Sequence, residues 1–376
     1  MKNPELRTKN SKLKTTKVCF VTMKAYSLFN LEVKSVFGGA EVDFYNLATE
    51  LAKDNNFEVS CIVADYGQPD SEVRHNVKLI KSLDFKKNII SQTLSLWQAM
   101  NKANASIYLQ KTAAWGTLFV YMFCKLHKRK FIYRTAKKEE STGDWPKNIL
   151  ERKAFHFSIR RADAVLAQNV KDKENLNSKL GISAAAIPNG HKLSSSIQSD
   201  RDFILWVGRS TKVKRPELFI KLAESAPDKK FLMICQRGTG DNEYDILISN
   251  AKKVNNLEYI ERVEFSEIDS YFQRAKVLVN TSDTEGFPNT FIQACKAGTP
   301  ILSLNVNPDD FLNKYKCGLC ANSDWITFNN MLEEIIGPSA NEYSKNARLY
   351  AKQNHDIKQI IEQYKEIFNN LMDGDN

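Results

Sequence analysis

At 376 residues with 42% hydrophobic content, the chain is too long for one ordinary core and is expected to build two domains of about 150 to 190 residues. A formal net charge of +10 suits polyanionic partners in general, so it does not choose between nucleic acid, an anionic membrane surface and phosphate-bearing small molecules. The seven cysteines are scattered, several inside apolar runs such as KVCFV, YMFC and FLMIC, which excludes a disulfide framework and points to a reduced, cytoplasmic protein.

The first sixteen residues, MKNPELRTKNSKLKTT, are polar and basic and read as a flexible leader without the apolar stretch of a signal peptide. No run approaches the length of a membrane span, so none is expected. The first strand is KVCFVTM at 17–23. The passage NLEVKSVFGGAE then leads into a helix, VDFYNLATELAKD, with Val42, Tyr45, Leu47, Ala48 and Leu51 at helical spacing. FEVSCIVA restarts the cycle. It recurs through ASIYLQ, the helix WGTLFVYMFCKLH, KFIYRT, a helical region ending IRRADAV, and VLAQN. Short apolar strands alternating with helices predict a parallel α/β sheet.

A first domain over 17–195 ends just past the turn AIPNG, and a serine-rich linker, 196–202, has almost nothing to bury. The second domain, 203–354, begins with FILWVG. It continues through the helix PELFIKLAESAP, where Pro216 sits at a helix start that tolerates it, and the strands FLMIC, LEYI, VLVNTS and PILSL. The last segment, 355–376, places Ile357, Ile360, Ile361, Tyr364, Ile367, Phe368 and Leu371 on one helix face that must pack somewhere. The pair in CGLC, Cys317 and Cys320, has redox or half-metal spacing. No second pair lies at ligand distance, so packing is its expected role.

Ligands of parallel sheets bind beyond the carboxyl ends of the strands. In WVGRSTKVKRPEL, Arg209 follows a strand and Lys214 precedes a helix, a cation pair suited to a diphosphate; a solvated basic loop is the plain alternative. In VLVNTSDTEGFPNTFIQA, Glu285 follows a strand, and Pro288, Asn289 and Thr290 open a helix whose first N–H groups are free for an anion. Glu285 is placed to accept from sugar hydroxyls, and Gln293 lies one turn on; a helix cap with an exposed glutamate is the alternative. Gly38 and Gly39 stand at a strand-to-helix crossing but lack dinucleotide-fingerprint spacing.

Taken together, GGAE, IPNG, VGRSTKVKRPELFI and EGFPNTFIQACKAGTPILS make the chain, from about residue 17, resemble the family 4 glycosyltransferases. These are retaining enzymes of the GT-B fold, and the likeness is to bacterial members of the polysaccharide-assembly type. That resemblance implies two Rossmann-like α/β/α domains facing across a cleft, with the last helix returning to the first domain. It implies a hexosyltransferase using a UDP- or GDP-linked sugar, with no cofactor and no metal. Arg209 and Lys214 would hold the donor diphosphate, and Glu285 the donor sugar hydroxyls. Phe287, Pro288, Asn289 and Thr290 would surround the transferred sugar and diphosphate, while Gly39 would close over the donor. At Gln293 the family usually has a second glutamate, and the amide loses the charge-assisted bond to the ribose.

The implied acceptor is a glycan or lipid-linked saccharide in surface polysaccharide synthesis. The loop AKKEESTGDW offers Arg134, Lys137, Lys138 and Asp144 toward it. The basic segment from Lys125 to Lys138, with Tyr121, Met122 and Phe123, is a candidate peripheral contact with an anionic leaflet at the inner face of the membrane. No D-x-D follows a strand; the spacing of Asp373 and Asp375 falls in the tail. The histidines, His75, His127, His156, His191 and His355, read as structural or solvent-facing. A nucleotide-sugar-binding protein of the same fold without transferase activity is the alternative, favoured by Gln293. Nucleic-acid binding is not expected, because Trp97, Trp115 and Trp206 fall in apolar surroundings rather than along a basic stripe.

Overall fold

A computed structural model describes residues 15–113, 115–193, 200–238 and 240–373. The expected leader lies outside these residues except at its end, as do the linker up to residue 199 and Asp375.

The first sheet has eight strands. They are β1 (Thr16–Val21), β2 (Phe57–Val63), β3 (Ser71–Arg74), β4 (Val77–Lys81), β5 (Ile107–Lys111), β6 (Lys130–Arg134), β7 (Ala164–Ala167) and β8 (Ala185–Ala186). Their order is β3-β4-β2-β1-β5-β6-β7-β8, parallel except for β3, which pairs antiparallel with β4 at one edge. The central strands are buried on both faces and are rich in Val, Ile, Phe, Tyr and Cys, as parallel strands under helices require. On one face lie the helices Gly39–Leu51 and Ile357–Asp373, sharing a core with β1 and β2. On the other lie Ile89–Ala103, Trp115–Leu126 and Ile149–Ile159.

The second sheet has six parallel strands, β9 (Phe203–Arg209), β10 (Phe231–Gln236), β11 (Leu257–Ile260), β12 (Ala275–Asn280), β13 (Ile301–Ser303) and β14 (Gly318–Cys320). Their order is β11-β10-β9-β12-β13-β14. Chain connections leave β9 and β12 in opposite directions, so the crevice between their carboxyl ends is the topological switch point. Cys317 and Cys320 border and end the edge strand β14, and the Cys317 thiol packs at 0% exposure against the Phe311 carbonyl.

The final helix belongs to the first lobe's core: Ile357, Ile360, Ile361, Tyr364 and Phe368 are all at most 4% exposed there. The lobes also meet through Asp309. Its carboxylate accepts from the N–H groups of Val170 and Lys171, at 2.8 and 2.9 Å, capping the helix Val170–Leu180 of the opposite lobe. Asp309 and Asp310 hold left-handed backbone angles, φ 54° and 58°, to make that reach.

Burying five large apolar side chains contributes on the order of 10 kcal/mol, comparable to a whole domain's stability. Removal of residues 355–376 is expected to abolish cooperative unfolding of the first lobe, read by urea titration of the far-UV signal; an unchanged midpoint would refute this.

Candidate active site

The switch point of the second sheet collects the charged residues of two loops. After β9, Arg209 ends the strand and Lys214 closes a single turn of 3-10 helix. Arg215 then takes a left-handed conformation, φ 48°, and Pro216 opens the next helix. The residue before a proline avoids the right-handed helical region, which lets the basic turn bend back over the strand ends. Two bonds fasten this turn to the loop after β12. The indole N–H of Trp206 donates to Thr281 Oγ1 at 3.0 Å, and Thr281 donates to the Lys214 carbonyl at 2.7 Å.

Glu285 lies across from it. Its Oε2 accepts from Lys214 Nζ at 2.7 Å, and its Oε1 accepts from Asn280 Nδ2 at 3.0 Å and Ser282 Oγ at 2.8 Å. Burial pushes the Glu285 carboxyl up, but Lys214 and these donors outweigh it and hold the group below its ordinary value. Glu285 is therefore an anion with fixed orientation. The Arg209 side chain makes no hydrogen bond or ion pair among the described residues and faces the first lobe; a Cβ on Gly38 would lie 3.6 Å from its Nη2. The structure thus brings together Arg209, Lys214, Glu285 and the Gly38–Gly39 turn. Gly38 donates its N–H to Glu41 Oε2 at 2.7 Å, which caps the helix starting at Gly39.

The GFPN loop is shared between the lobes. Asn289 Nδ2 donates to the Gly39 carbonyl at 2.7 Å, and Asn289 Oδ1 accepts from Asn189 Nδ2 at 2.9 Å. Its side chain is occupied in joining the lobes, whereas the first N–H groups of the helix Asn289–Lys296, at Asn289 and Thr290, have no acceptor within the helix. Pro288 is buried and sets the start of that helix. The ring of Phe287, which the resemblance implied would surround the transferred sugar, is in the core instead, 8% exposed and packed on Phe311 and His355 at 5.2 and 5.0 Å. Gln293 lies one turn into the helix on the side of Asn289 and is 8% exposed.

Behind Asn189 lies a buried ionic cluster that the sequence did not announce. Asp43 Oδ2 is 2.8 Å from Lys111 Nζ and 3.0 Å from Arg134 Nε. Lys111 and Arg134 Nη2 both also donate to Asn189 Oδ1, at 3.1 and 2.6 Å. Burial pushes Lys111 down to about 8 against the pull of Asp43. Burial also raises Asp43, but Arg134 and Lys111 together bring it below the ordinary carboxylate range. Arg134, expected on an acceptor-facing loop, is 0% exposed and stacked on the Tyr364 ring, because its charge is compensated by Asp43 from a distant helix.

The segment AKKEESTGDW is not a plain loop: it contains a helical turn, Lys138–Thr142, ended by left-handed Gly143. Buried Glu140 anchors it by accepting from the N–H groups of Ala113 and Ala136 and from the Tyr133 hydroxyl. Lys137, Lys138 and Asp144 are exposed, with Lys137 over the Trp145 ring and Asp144 accepting from Thr142. The basic segment 125–138 is not one surface. Lys125 ends a helix that crosses the sheet, about 18 Å long at 1.5 Å per residue, so Lys137 lies at the opposite edge. Tyr121 and Phe123 point inward, and only Met122 of that trio is exposed.

His191 and His355 are buried and not solvent-facing. Both are at most 2% exposed at the lobe junction. One His355 ring nitrogen meets the Asn189 carbonyl at 2.9 Å and the other the Tyr350 hydroxyl at 3.2 Å. Among the described residues no three His, Cys, Asp or Glu side chains converge to hold a metal ion, and no helix is long and apolar enough to cross a membrane.

Residues 191–354 match the family model described as "Glycosyl transferases group 1". The alpha-monoglucosyldiacylglycerol synthase of Acholeplasma laidlawii is 27% identical over 172 residues, covering 42% of this chain and 42% of that protein. The alignment thus spans less than half of that curated relative. Among solved structures, the sucrose-phosphate synthase of Thermosynechococcus elongatus superposes with a TM-score of 0.78 at 14% identity, over 96% of this chain and 100% of that one. The fold is GT-B. TarM of S. aureus, in complex with fondaparinux, alpha-GlcNAc-glycerol and UDP, superposes at 0.75 with 12% identity, over 94% and 100% of the two chains.

Two predictions follow from the junction. Replacing Asn289 with Ala removes both bonds that tie Gly39 to Asn189, taking the donor from the Gly39 carbonyl and leaving Asn189 Nδ2 with Gln168 Oε1 at 3.3 Å, so the apparent affinity for a nucleoside diphosphate is expected to fall about tenfold while the melting temperature drops by only a few degrees. Calorimetry with wild-type affinity would contradict it. The histidines give the second. Burial depresses His191 to about 3 and His355 to about 4, so the unfolded chain binds more protons below pH 6.5. Stability is therefore expected to fall as pH drops from 6.5 toward 4, by about 2 kcal/mol per histidine at pH 5. Asp172, raised to about 6 by burial, takes up its proton on folding and offsets part of this loss. Urea midpoints at pH 7 and pH 5 measure the sum, and His355→Phe should shallow the slope.

Proposed function

We propose that the protein is a hexosyltransferase that takes a sugar from a nucleoside diphosphate, uridine- or guanosine-linked, and joins it to a hydroxyl of a glycan or lipid-linked saccharide with retention of anomeric configuration. The observation that carries this reading is the convergence of Arg209, Lys214 and oriented Glu285 at the switch point within the segment that matches the glycosyl transferase model. The UDP held by TarM, a protein of the same fold, favours the uridine donor. A lipid-linked acceptor suits the partial likeness to a diacylglycerol glucosylating enzyme.

In this reading the donor diphosphate lies between Arg209 and Lys214, against the free N–H groups of Asn289 and Thr290. Arg209 is uncommitted and can grip two oxygens; Lys214 is shared between Glu285 and the phosphate. As the bond from the anomeric carbon to the phosphate oxygen breaks, both cations meet the growing negative charge. Glu285 orients the sugar through its hydroxyls. The acceptor oxygen attacks from the leaving-group side, and its proton passes to the departing phosphate oxygen, so no protein base is needed. Positioning and charge supply the catalysis. Gln293 accepts from the ribose without the charge assistance of a carboxylate.

The test is calorimetry of the purified chain with UDP, GDP, ADP and CMP without added metal, repeated on Arg209→Ala, followed by anomer-resolved NMR of product. One nucleotide should bind, with at least a hundredfold loss in the variant, and an α-linked sugar from an α-linked donor should form at a rate unchanged by EDTA. Binding without any glycosidic product would instead assign a nucleotide-sugar-binding role.

A further inference from the structure

The three helices on the outer side of the first sheet, Ile89–Ala103, Trp115–Leu126 and Ile149–Ile159, lie side by side with the Trp115–Leu126 helix in the middle. That central helix, WGTLFVYMFCKL, is apolar all round, the pattern of a helix covered on every side. Its inner side is covered: Val120, Tyr121, Phe123 and Cys124 pack on the sheet. Its outer side is not. Trp115, Met122 and Leu126, at steps of seven and four, are 40%, 42% and 67% exposed. Trp115 was expected in a core from its apolar surroundings. The flanking helices extend the same face with Ile90 and Leu94, 71% and 59% exposed, and Leu150, 64% exposed. Such a contiguous apolar face on a monomer signals a surface that something covers.

Charge decides the occupant. Glu151 is the one carboxylate on these three helices, and exposed Lys86, Lys87, Lys125, Lys128 and Lys153 border the face. A second copy of this chain, with a net charge of +10, would bring like charges together. An apolar face rimmed by lysines fits an anionic bilayer, with the apolar side chains at the acyl boundary and the ammonium groups among headgroup phosphates.

We propose that this three-helix face docks the protein on an anionic lipid bilayer. The surface shares Met122, Lys125 and Lys128 with the membrane contact that the sequence suggested, but it follows the outward stripe of the Trp115–Leu126 helix and its two neighbours and leaves out Tyr121, Phe123 and the 129–138 stretch. Helices that follow parallel strands start at the carboxyl edge of the sheet, so the Trp115 and Ile149 ends border the cleft. Resting on the transferase reading, this docking sets the acceptor side of the cleft beside the lipid surface.

The experiment is flotation of the full chain with phosphatidylcholine vesicles that contain or lack phosphatidylglycerol. It compares wild type, Ile90→Glu/Met122→Glu/Leu126→Glu, and Lys125→Glu/Lys128→Glu. These side chains are exposed, and unchanged circular dichroism and urea midpoints confirm that each variant folds. Wild type should float with phosphatidylglycerol vesicles and release at high salt. The apolar triple variant should partition at least tenfold less, and the lysine variant should lose the preference for anionic lipid. Absence of flotation, or equal flotation of all three proteins, overturns the proposal. A concentration-dependent dimer in sedimentation that the triple variant dissolves also overturns it and gives the face to a second copy. Nucleotide calorimetry on the same samples separates the two claims: lipid binding without nucleotide binding removes the transferase reading and leaves the docking surface standing.

Discussion

The structure depends on a carboxylate with no water around it. Asp43, on the helix Gly39–Leu51, pairs with both Lys111 and Arg134 at the ends of two neighbouring strands, one negative charge shared by two positive ones. Removing three charges from water is costly, and mutual attraction offsets this only when the remaining donors find acceptors. Asn189 supplies one acceptor, taking one bond from each cation through the same oxygen, while Arg134 Nη1 and Asp43 Oδ1 stay buried without a hydrogen-bond partner. The Asn189 amide nitrogen is thereby aimed at Asn289, and Asn289 at Gly39. The contact between the lobes at Asn289 is thus linked to charges buried within the first lobe. Losing Asp43 would strand two cations and turn the Asn189 amide loose.

The same logic places the candidate ligand groups. In the second sheet the strand order diverges at β9 and β12, and the loops beyond them carry a cationic turn and the carboxylates of Asp283 and Glu285. Trp206 and Thr281 stitch those loops together beneath the charged atoms, so Lys214 and Glu285 are held by backbone and indole rather than by each other alone. An isolated half-exposed ion pair is worth little. Here its value is orientation: Glu285 presents a lone-pair direction defined by three donors.

Much of this was readable in the chain. The apolar strands bounded by glycine and polar turns gave the alternating α/β pattern, and Arg209, Lys214 and Glu285 stood out because they directly follow such strands. What escaped had physical causes. β4, VKLIK, has only two consecutive apolar residues between its two lysines, and β14 is three residues long. Arg134 follows an apolar strand just as Arg209 does, yet one is buried and the other faces the cleft. The difference is Asp43, whose proximity is a tertiary fact with no local trace. His191 and His355 escaped likewise, since their burial arises only where the final helix returns. Phe287 sits in a motif associated with ligands, but its ring is claimed by Phe311 and His355.

The lobes approach one another through glycine. A Cβ on Gly39 would stand 2.9 Å from Asn289 Nδ2, and one on Gly286 would stand 2.8 Å from Gln168 Nε2. Each contact crosses from one lobe to the other, and the Asn289 amide is already committed to the backbone it would have to leave. At these two points the seam has no room for a methyl group unless the amide tip of Asn289 or Gln168 turns away. Two halves built from separate cores are gauged against each other at the scale of one carbon atom, by residues that contribute no side chain at all.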